Sequence, residues 1–203
     1  MEDKAEDLEN IYREFYPKIV GYLKRLVGDH EAEDVTQEVF LKVNASLETF
    51  RGESRLSTWI YRVATNTAID HLRKSSPGPE ALMAGGLAED ESFTGEEATA
   101  AEESTPSLDT HLIRKEMNMC IRSIVEALPE NYRTVIVLSE LEEFTNTEIA
   151  DIVGVSLEAV KIRLHRARAR LRKELEAQCN FYRDDRNELA CDRKTVSLNV
   201  LKK

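Results

Sequence analysis

The sequence has no long hydrophobic run, few cysteines and, from residue 75 to residue 110, neither lysine nor arginine. Its apolar stretches fall short of the eighteen or so residues that a transmembrane helix needs, and residues 1–10 are acidic where a secretory signal is basic and then apolar. Three cysteines are an odd number, which argues against a disulfide framework. These absences predict a cytoplasmic protein without membrane insertion.

The net charge of −10 is concentrated in one segment of the 203 residues. Residues 75–110 carry nine acidic side chains, and they are rich in Gly, Pro, Ser, Thr and Ala with few large apolar residues. Such a composition buries too little surface to offset the entropy of ordering the chain. We therefore expect a flexible acidic linker at 76–110, with the rest of the chain close to neutrality.

Outside this segment, apolar residues recur every three or four positions, which is typical of helices. Asp29 is predicted to cap the second of them, because acids follow it in the first turn. The fold class is accordingly expected to be all-α, with two small helical domains joined by the linker. The predicted helices are 5–27, 30–45, 55–74, 111–127, 130–143, 146–153 and 157–177.

Residues 144–164, "FTNTEIADIVGVSLEAVKIRL", have the pattern of a helix-turn-helix. Thr145 and Glu148 have the spacing of a capping box that opens a short helix. Gly154 permits a tight turn, and Ser156 can cap the longer helix that follows.

The longer helix contains the segment 161–173, "KIRLHRARARLRK", which has seven basic residues and no acid. An apolar stripe on this helix must face a core, and it consists of Val160, Leu164, Ala167, Leu171 and Leu175. The opposite side, which would enter a DNA major groove, carries Glu158, Ile162, His165 and Ala169, with Lys161 and Arg166 beside them. Phosphate contacts are expected from Arg168, Arg170, Arg172 and Lys173. A solvated surface helix or coiled coil is the alternative, but the missing acids and the capped turn favour DNA binding.

Residues 50–74, "FRGESRLSTWIYRVATNTAIDHLRK", interleave aromatic rings with arginines. Unpaired bases stack on rings and show their edges to amides, so Phe50, Trp59, Tyr61 and Asn66 are candidates for single-stranded DNA recognition. Plain core packing is the alternative for the aromatic residues, above all for Trp59.

Together with "EDVTQEVFLKV" and the segment from "LPENYR" to "ARARLR", these motifs resemble those of bacterial sigma factors of the extracytoplasmic-function (ECF) class, in that class's order. The resemblance implies an initiation subunit of RNA polymerase that has only the second and fourth sigma domains. It places a sigma domain 2-like part at 1–75 and a sigma domain 4-like part at 111–176, followed by a tail at 177–203. It also implies a non-enzymatic role in a stress or environmental response.

The resemblance also assigns residues to partners. Docking on RNA polymerase core is implied for Asp34, Gln37, Glu38 and Leu41. Opening and reading of the minus-ten promoter element is implied for Phe50, Arg51, Ser54, Arg62 and Asn66. Reading of the minus-thirty-five element is implied for Lys161, Ile162, Arg163, His165 and Arg166. Whether an anti-sigma factor holds the protein inactive stays open.

The tail contains Cys179 and Cys191, which a hairpin would bring together. Three interpretations stay open: a zinc site completed by Cys120, His165 or a partner's ligands, a reversible disulfide, or an ordinary tail extension. Cys120 itself is expected inside a helix, where it would mainly affect stability.

Two rival functions compete with this interpretation. A helix-turn-helix regulator that never docks on polymerase would leave the "EDVTQEVFLKV" helix unexplained. An enzyme acting on DNA is disfavoured because the sequence has no P-loop, no acid cluster with metal-ligand spacing and no nucleophile-base motif.

Overall fold

The computed structural model describes residues 2–75, 120–183, 187 and 189–194, and within them the predicted all-α fold is confirmed. The predicted linker at 76–110, and the first part of the helix predicted at 111–127, lie outside the described residues. The helices are α1 (Glu2–Val27), α2 (Ala32–Ser46), α3 (Leu56–Ser75), α4 (described over 120–126), α5 (Glu130–Ile136), α6 (Asn146–Val153) and α7 (Leu157–Gln178). A 3₁₀ turn, Leu47–Thr49, follows α2, and a π-helical stretch, Val137–Leu141, follows α5. After α7 come the antiparallel strands β1 (Cys179–Arg183) and β2 (Leu189–Arg193).

Helices α1, α2 and α3 pack against one another as an amino-terminal unit. Each contributes one apolar face, with Ile19, Val39 and Ile60 fully buried. The Tyr22 hydroxyl is paired with the hydroxyl of Thr65 at 2.8 Å. This pairing satisfies a polar group in a fully buried position, and it fixes α1 against α3.

The predicted cap of α2 is wrong. Helix α2 begins at Ala32, and the residue before it, Glu31, makes no side-chain capping bond. The Asp29 carboxylate instead accepts a hydrogen bond from Arg122 at 2.8 Å, and this bond is the main reason why the pKa of Asp29 is lowered. A charged donor from a distant helix has therefore replaced the local backbone donors that the sequence pattern suggested.

Helices α4 to α7 form a carboxy-terminal unit, which packs on the amino-terminal unit mainly through α6 against α3. Glu142, which precedes α6, is largely buried between the two units, and its Oε1 accepts a hydrogen bond from Arg25 at 3.0 Å. Its other oxygen accepts a hydrogen bond from the Tyr61 hydroxyl. The ring of Tyr61 also meets that of Phe144 edge-on, with centroids 4.8 Å apart.

The π-helical stretch explains how Glu142 reaches this position. A π turn inserts one extra residue per turn and so rotates the residues after it. Glu143, the residue after Glu142, has a positive φ of 57°, which ends the helix sharply. The carboxylate of Glu142, the residue that directly follows the π-helical stretch, contacts Arg25 of α1 and Tyr61 of α3.

No helix among the described residues is long and apolar enough to cross a membrane.

Candidate nucleic-acid interface

The predicted helix-turn-helix is present as α6, a turn and α7. Thr145 caps α6 by accepting a hydrogen bond from the Glu148 amide at 3.3 Å, and its own amide donates to the Glu148 carboxylate at 3.0 Å. The Thr145 amide, and next the Thr145 hydroxyl, which donates to the same carboxylate at 2.8 Å, lower the pKa of Glu148. Gly154 ends α6 in the left-handed conformation, and Ser156 accepts a hydrogen bond from the amide of Ala159 at the start of α7. The predicted caps and turn are confirmed.

Replacing Gly154 by Ala is expected to lower the free energy of unfolding by about 1 kcal/mol, because only glycine adopts φ = 67° without strain. An added Cβ would meet nothing within 4 Å, so backbone strain is the whole cost. The matched control is Gly21→Ala inside α1, which should stabilise by up to about 1 kcal/mol through helix propensity. Urea denaturation followed by circular dichroism measures both changes, and an equally stable Gly154→Ala would contradict the role of the turn.

The apolar stripe of α7 faces the core as predicted. Val160, Leu164 and Ala167 are buried, while Leu171 and Leu175 are half-buried where the helix leaves the body of the protein. The first turns of α7 are thus held by packing, and this packing orients the opposite, polar face toward solvent.

The structure divides the residues that were predicted to read the minus-thirty-five element. Ile162, His165 and Lys161 are exposed, and Ile162 is 50% accessible although it is apolar. Arg163 and Arg166 are half-buried, because they flank the stripe that packs on the core. Only the first group lies directly on the outward face.

The three arginines expected at phosphates, Arg168, Arg170 and Arg172, are all exposed along the second half of α7. Arg168 donates from Nη2 and Nε to the Glu140 carboxylate at 2.7 and 3.0 Å. Both side chains of this pair are exposed, so solvent screens it and a phosphate can replace the carboxylate at little cost.

The loop before α3 and the first turns of α3 enclose a cavity of about 400 Å³. Its lining includes four of the five residues that were predicted for the minus-ten element: Phe50, Arg51, Ser54 and Arg62. The ring of Phe50 lies 5.1 Å from that of Trp59, which is half-buried against the core and also lines the cavity. Trp59 therefore packs against the core and also lines the cavity.

Asn66 does not line this cavity. It is exposed on α3 one helical turn beyond Arg62, about 6 Å along the axis and on the same face. The structure therefore extends the candidate site from the cavity along one side of α3.

Four lining residues were not among those predicted from the sequence: Thr49, Glu53, Thr58 and Asp151. Thr58 is buried, and its hydroxyl is without a hydrogen-bond partner among the described residues. Asp151 reaches the cavity from α6, in the other unit of the protein. No signal in the sequence places Asp151 there, whereas Thr58 occupies the first turn of α3, a position that the motif itself could have indicated.

The residues expected to dock on polymerase lie on the outer side of α2. Asp34 and Gln37 are exposed, and Leu41 is 70% accessible, which is unusual for a leucine. Glu38 is half-buried and forms an ion pair with Lys42 at 2.8 Å, which lowers the pKa of Glu38. Leu41 is thus an exposed apolar residue on the same side of α2 as the acidic side chains of Asp34 and Glu38.

The hairpin predicted around the tail cysteines is confirmed as β1 and β2. The sulfur of Cys120 lies 3.2 Å from that of Cys179, so Cys120 contacts the tail as well as its own helix. Within the described part of the chain, no group of three or more His, Cys, Asp or Glu side chains is arranged to hold a metal ion.

Family comparisons match both halves of this arrangement. The family model described as Sigma-70 region 2 matches residues 11–77, and the model described as Sigma-70, region 4 matches residues 118–171. The first match spans the cavity and α3, and the second spans the helix-turn-helix through Leu171.

Curated relatives match most of the chain. It is 34% identical to the ECF RNA polymerase sigma factor SigW of Bacillus subtilis, over 86% of this chain and 90% of the relative. It is 36% identical to the RNA polymerase sigma-H factor of Pseudomonas aeruginosa, over 78% of this chain and 81% of the relative.

Solved structures share the fold. The structure of CnrH in complex with the cytosolic domain of CnrY has a TM-score of 0.59 at 20% identity, covering 85% of this chain and 90% of that chain. The structure of RpoE with the anti-sigma factor NepR from Bartonella quintana has a TM-score of 0.59 at 22% identity, covering 84% and 98%.

The chain belongs to the family of ECF RNA polymerase sigma factors. It is a transcription initiation factor whose partners are RNA polymerase core and promoter DNA.

Proposed function

We propose that α7 reads the minus-thirty-five element with Lys161, Ile162 and His165, while Arg168, Arg170 and Arg172 hold the DNA phosphates. The observation that carries this assignment is the capped turn that fixes α7 with the polar side of the segment 161–173, which contains no acid, facing outward. Arg163 and Arg166 act from the edges of that face, where their long side chains extend past the helix. Major-groove recognition by the second helix of such a motif is the general mode.

The cavity before α3 is proposed as the site that captures an unpaired base of the minus-ten element. Phe50 and Trp59 offer rings for stacking, while Arg51 and Arg62 supply positive charge for the flanking phosphates. Thr58 also lines the cavity, and its hydroxyl is buried without a hydrogen-bond partner among the described residues. The cavity volume of about 400 Å³ is ample for one base.

Docking on polymerase core is proposed for the α2 surface of Asp34, Gln37, Glu38 and Leu41. Burying Leu41, at 70% accessibility, would supply the apolar centre of the contact.

Leu41→Ala should therefore reduce the amount of polymerase core that copurifies with the protein. Run-off transcription should fall as a result. A helix-turn-helix regulator that never docks on polymerase would not copurify with polymerase core, with or without Leu41→Ala.

The finer expectations from the sequence extend this proposal. We place the protein in the cytoplasm, without catalytic activity, and assign sigma domain 2 to 1–75, the acidic linker to 76–110, sigma domain 4 to 111–176 and the tail to 177–203. Because two fold relatives were solved with the cytosolic domain of CnrY and with NepR, we also propose an anti-sigma partner. A stress or environmental signal would act by releasing that partner.

Asn66→Ala is expected to leave polymerase binding and closed-complex formation intact while reducing strand opening several-fold, because an extruded base loses a hydrogen-bonding amide. Permanganate reactivity of unpaired thymines on a duplex promoter measures the opening. The matched control is Asp70→Ala, an exposed position one turn further along α3 and away from the cavity. Unchanged opening by the Asn66 variant would remove this residue from the site.

A further inference from the structure

Three free cysteines from three separate segments meet at the end of α7. Cys120 lies in α4, Cys179 is the first residue of β1 and Cys191 lies in β2. The sulfurs of Cys120 and Cys179 are 3.2 Å apart, and the Cys191 thiol is near enough to contribute to the raised pKa of Cys179. The hairpin pattern of the sequence pointed only to Cys179 and Cys191 as a pair.

Strand register distinguishes the two pairs that Cys179 can form. Cys179 lies opposite Arg193, and Cys191 lies opposite Phe181, so the two cysteines share a face of the hairpin but are diagonal neighbours. Diagonal positions in an antiparallel pair are about 7–8 Å apart, beyond the separation of about 4.4–6.8 Å between Cα atoms that disulfides usually bridge. The contact with Cys120 carries no such restriction from the strand ladder.

Accessibility separates the roles of the three thiols. Cys179 is 2% exposed, whereas Cys120 and Cys191 are half-buried. Burial, together with the neighbouring thiols, raises the pKa of Cys179 to about 12, and burial raises the pKa of Cys191. An oxidant therefore meets a half-buried thiol first, and Cys179 reacts second, from inside.

We propose that Cys120 and Cys179 are a redox-active pair that closes into a disulfide and ties α4 to the base of the carboxy-terminal hairpin. The oxidant is a low-molecular-weight disulfide. The Cys120 thiolate attacks one of its sulfurs and releases the first small thiol. The Cys179 thiolate then attacks the Cys120 sulfur and releases the second. Two protein thiols and one disulfide thus become one protein disulfide and two small thiols, with two electrons and two protons transferred.

The disulfide would close a loop that contains the whole helix-turn-helix. The hairpin is already joined to the end of α7, because the Lys194 amide donates to the Gln178 carbonyl at 2.7 Å and its ammonium donates to the Glu176 carbonyl. Linking the same place to α4 restricts the unfolded chain between residues 120 and 179, which stabilises the folded carboxy-terminal unit. The bond lies at the far end of α7 from its DNA-reading turns.

The experiment uses the full-length protein, incubated with glutathione disulfide and then digested without reduction for mass spectrometry. We expect a peptide pair linked through Cys120 and Cys179 and a rise in the melting temperature of about 5 °C or more, both reversed by dithiothreitol. Cys191→Ser is the matched control and should keep the linkage and the rise. Cys120→Ser should lose both.

Several results would overturn the proposal. One is a linkage between Cys179 and Cys191 that persists in Cys120→Ser, and another is the absence of any intramolecular disulfide in the wild type. Native mass spectrometry of the reduced protein provides a further check: a bound zinc ion that is lost in all three single Cys→Ser variants would mean that the thiols form a metal site. Serine is close in size to cysteine, so the Cys120→Ser variant should fold. Circular dichroism before oxidation verifies this.

Discussion

Replacing Arg168, Arg170 and Arg172 together by Ala is expected to weaken binding of the polymerase holoenzyme to every promoter alike and to flatten its salt dependence. All three side chains are exposed on the second half of α7. Each phosphate interaction that the substitutions abolish lowers the slope of log K against log salt concentration by about 0.9, so three of them lower it by about 2.7. Binding to promoter fragments measured at several salt concentrations gives this slope directly.

Two control variants make this test specific. Lys161→Ala, on the outward face near the start of α7, should instead change the preference among minus-thirty-five sequences, by about 1–3 kcal/mol if its side chain makes a bidentate hydrogen bond to a base. Glu140→Ala should strengthen binding slightly, because Glu140 competes with phosphate for Arg168. If the triple variant and Lys161→Ala gave the same sequence-independent loss of affinity, the division of α7 into reading and holding positions would be wrong.

Replacing Glu142 by Ala is expected to lower the free energy of unfolding by about 2–4 kcal/mol, because it leaves the buried Tyr61 hydroxyl and the Arg25 guanidinium without their shared carboxylate. Burial, followed by the contact with Glu142, raises the pKa of Tyr61, so its hydroxyl stays protonated and must donate. Removing this acceptor weakens the packing between the two units of the protein.

Urea denaturation measures the stability change, and small-angle X-ray scattering measures the separation of the units, which should increase. Glu140→Ala is the matched control, because its ion pair with Arg168 is exposed at both side chains and should contribute under about 1 kcal/mol. Glu142→Gln should fall between the two, since an amide oxygen can still accept from Tyr61. If the Glu142→Ala and Glu140→Ala variants were equally stable, the buried and the exposed ion pair would contribute equally to the free energy of unfolding, which would contradict this prediction.

Both units also meet at the proposed minus-ten site. Asp151 of α6 lines the cavity before α3, and Glu148 of the same helix pairs with Arg55 at 3.2 Å. Acidic side chains therefore lie where DNA phosphates would approach.

The sequence alone determined the features that depend on neighbouring residues. The capping box of Thr145 and Glu148, the left-handed Gly154 and the Ser156 cap all follow from interactions within four residues, and all were predicted correctly. The buried stripe and the exposed basic face of α7 follow from helical periodicity. The tail hairpin follows from short strand-like segments around a polar turn.

Only the tertiary structure decided the contacts between residues far apart in the chain. Asp29 pairs with Arg122 instead of capping α2, Glu142 reaches across to Arg25, and the thiol beside Cys179 belongs to Cys120. Local propensity carries no information about such pairs, because their energies depend on which helix faces pack together. Asp29 is the clearest case: its local pattern was a sound cap signal, but a guanidinium supplied by another helix is the stronger donor for a carboxylate.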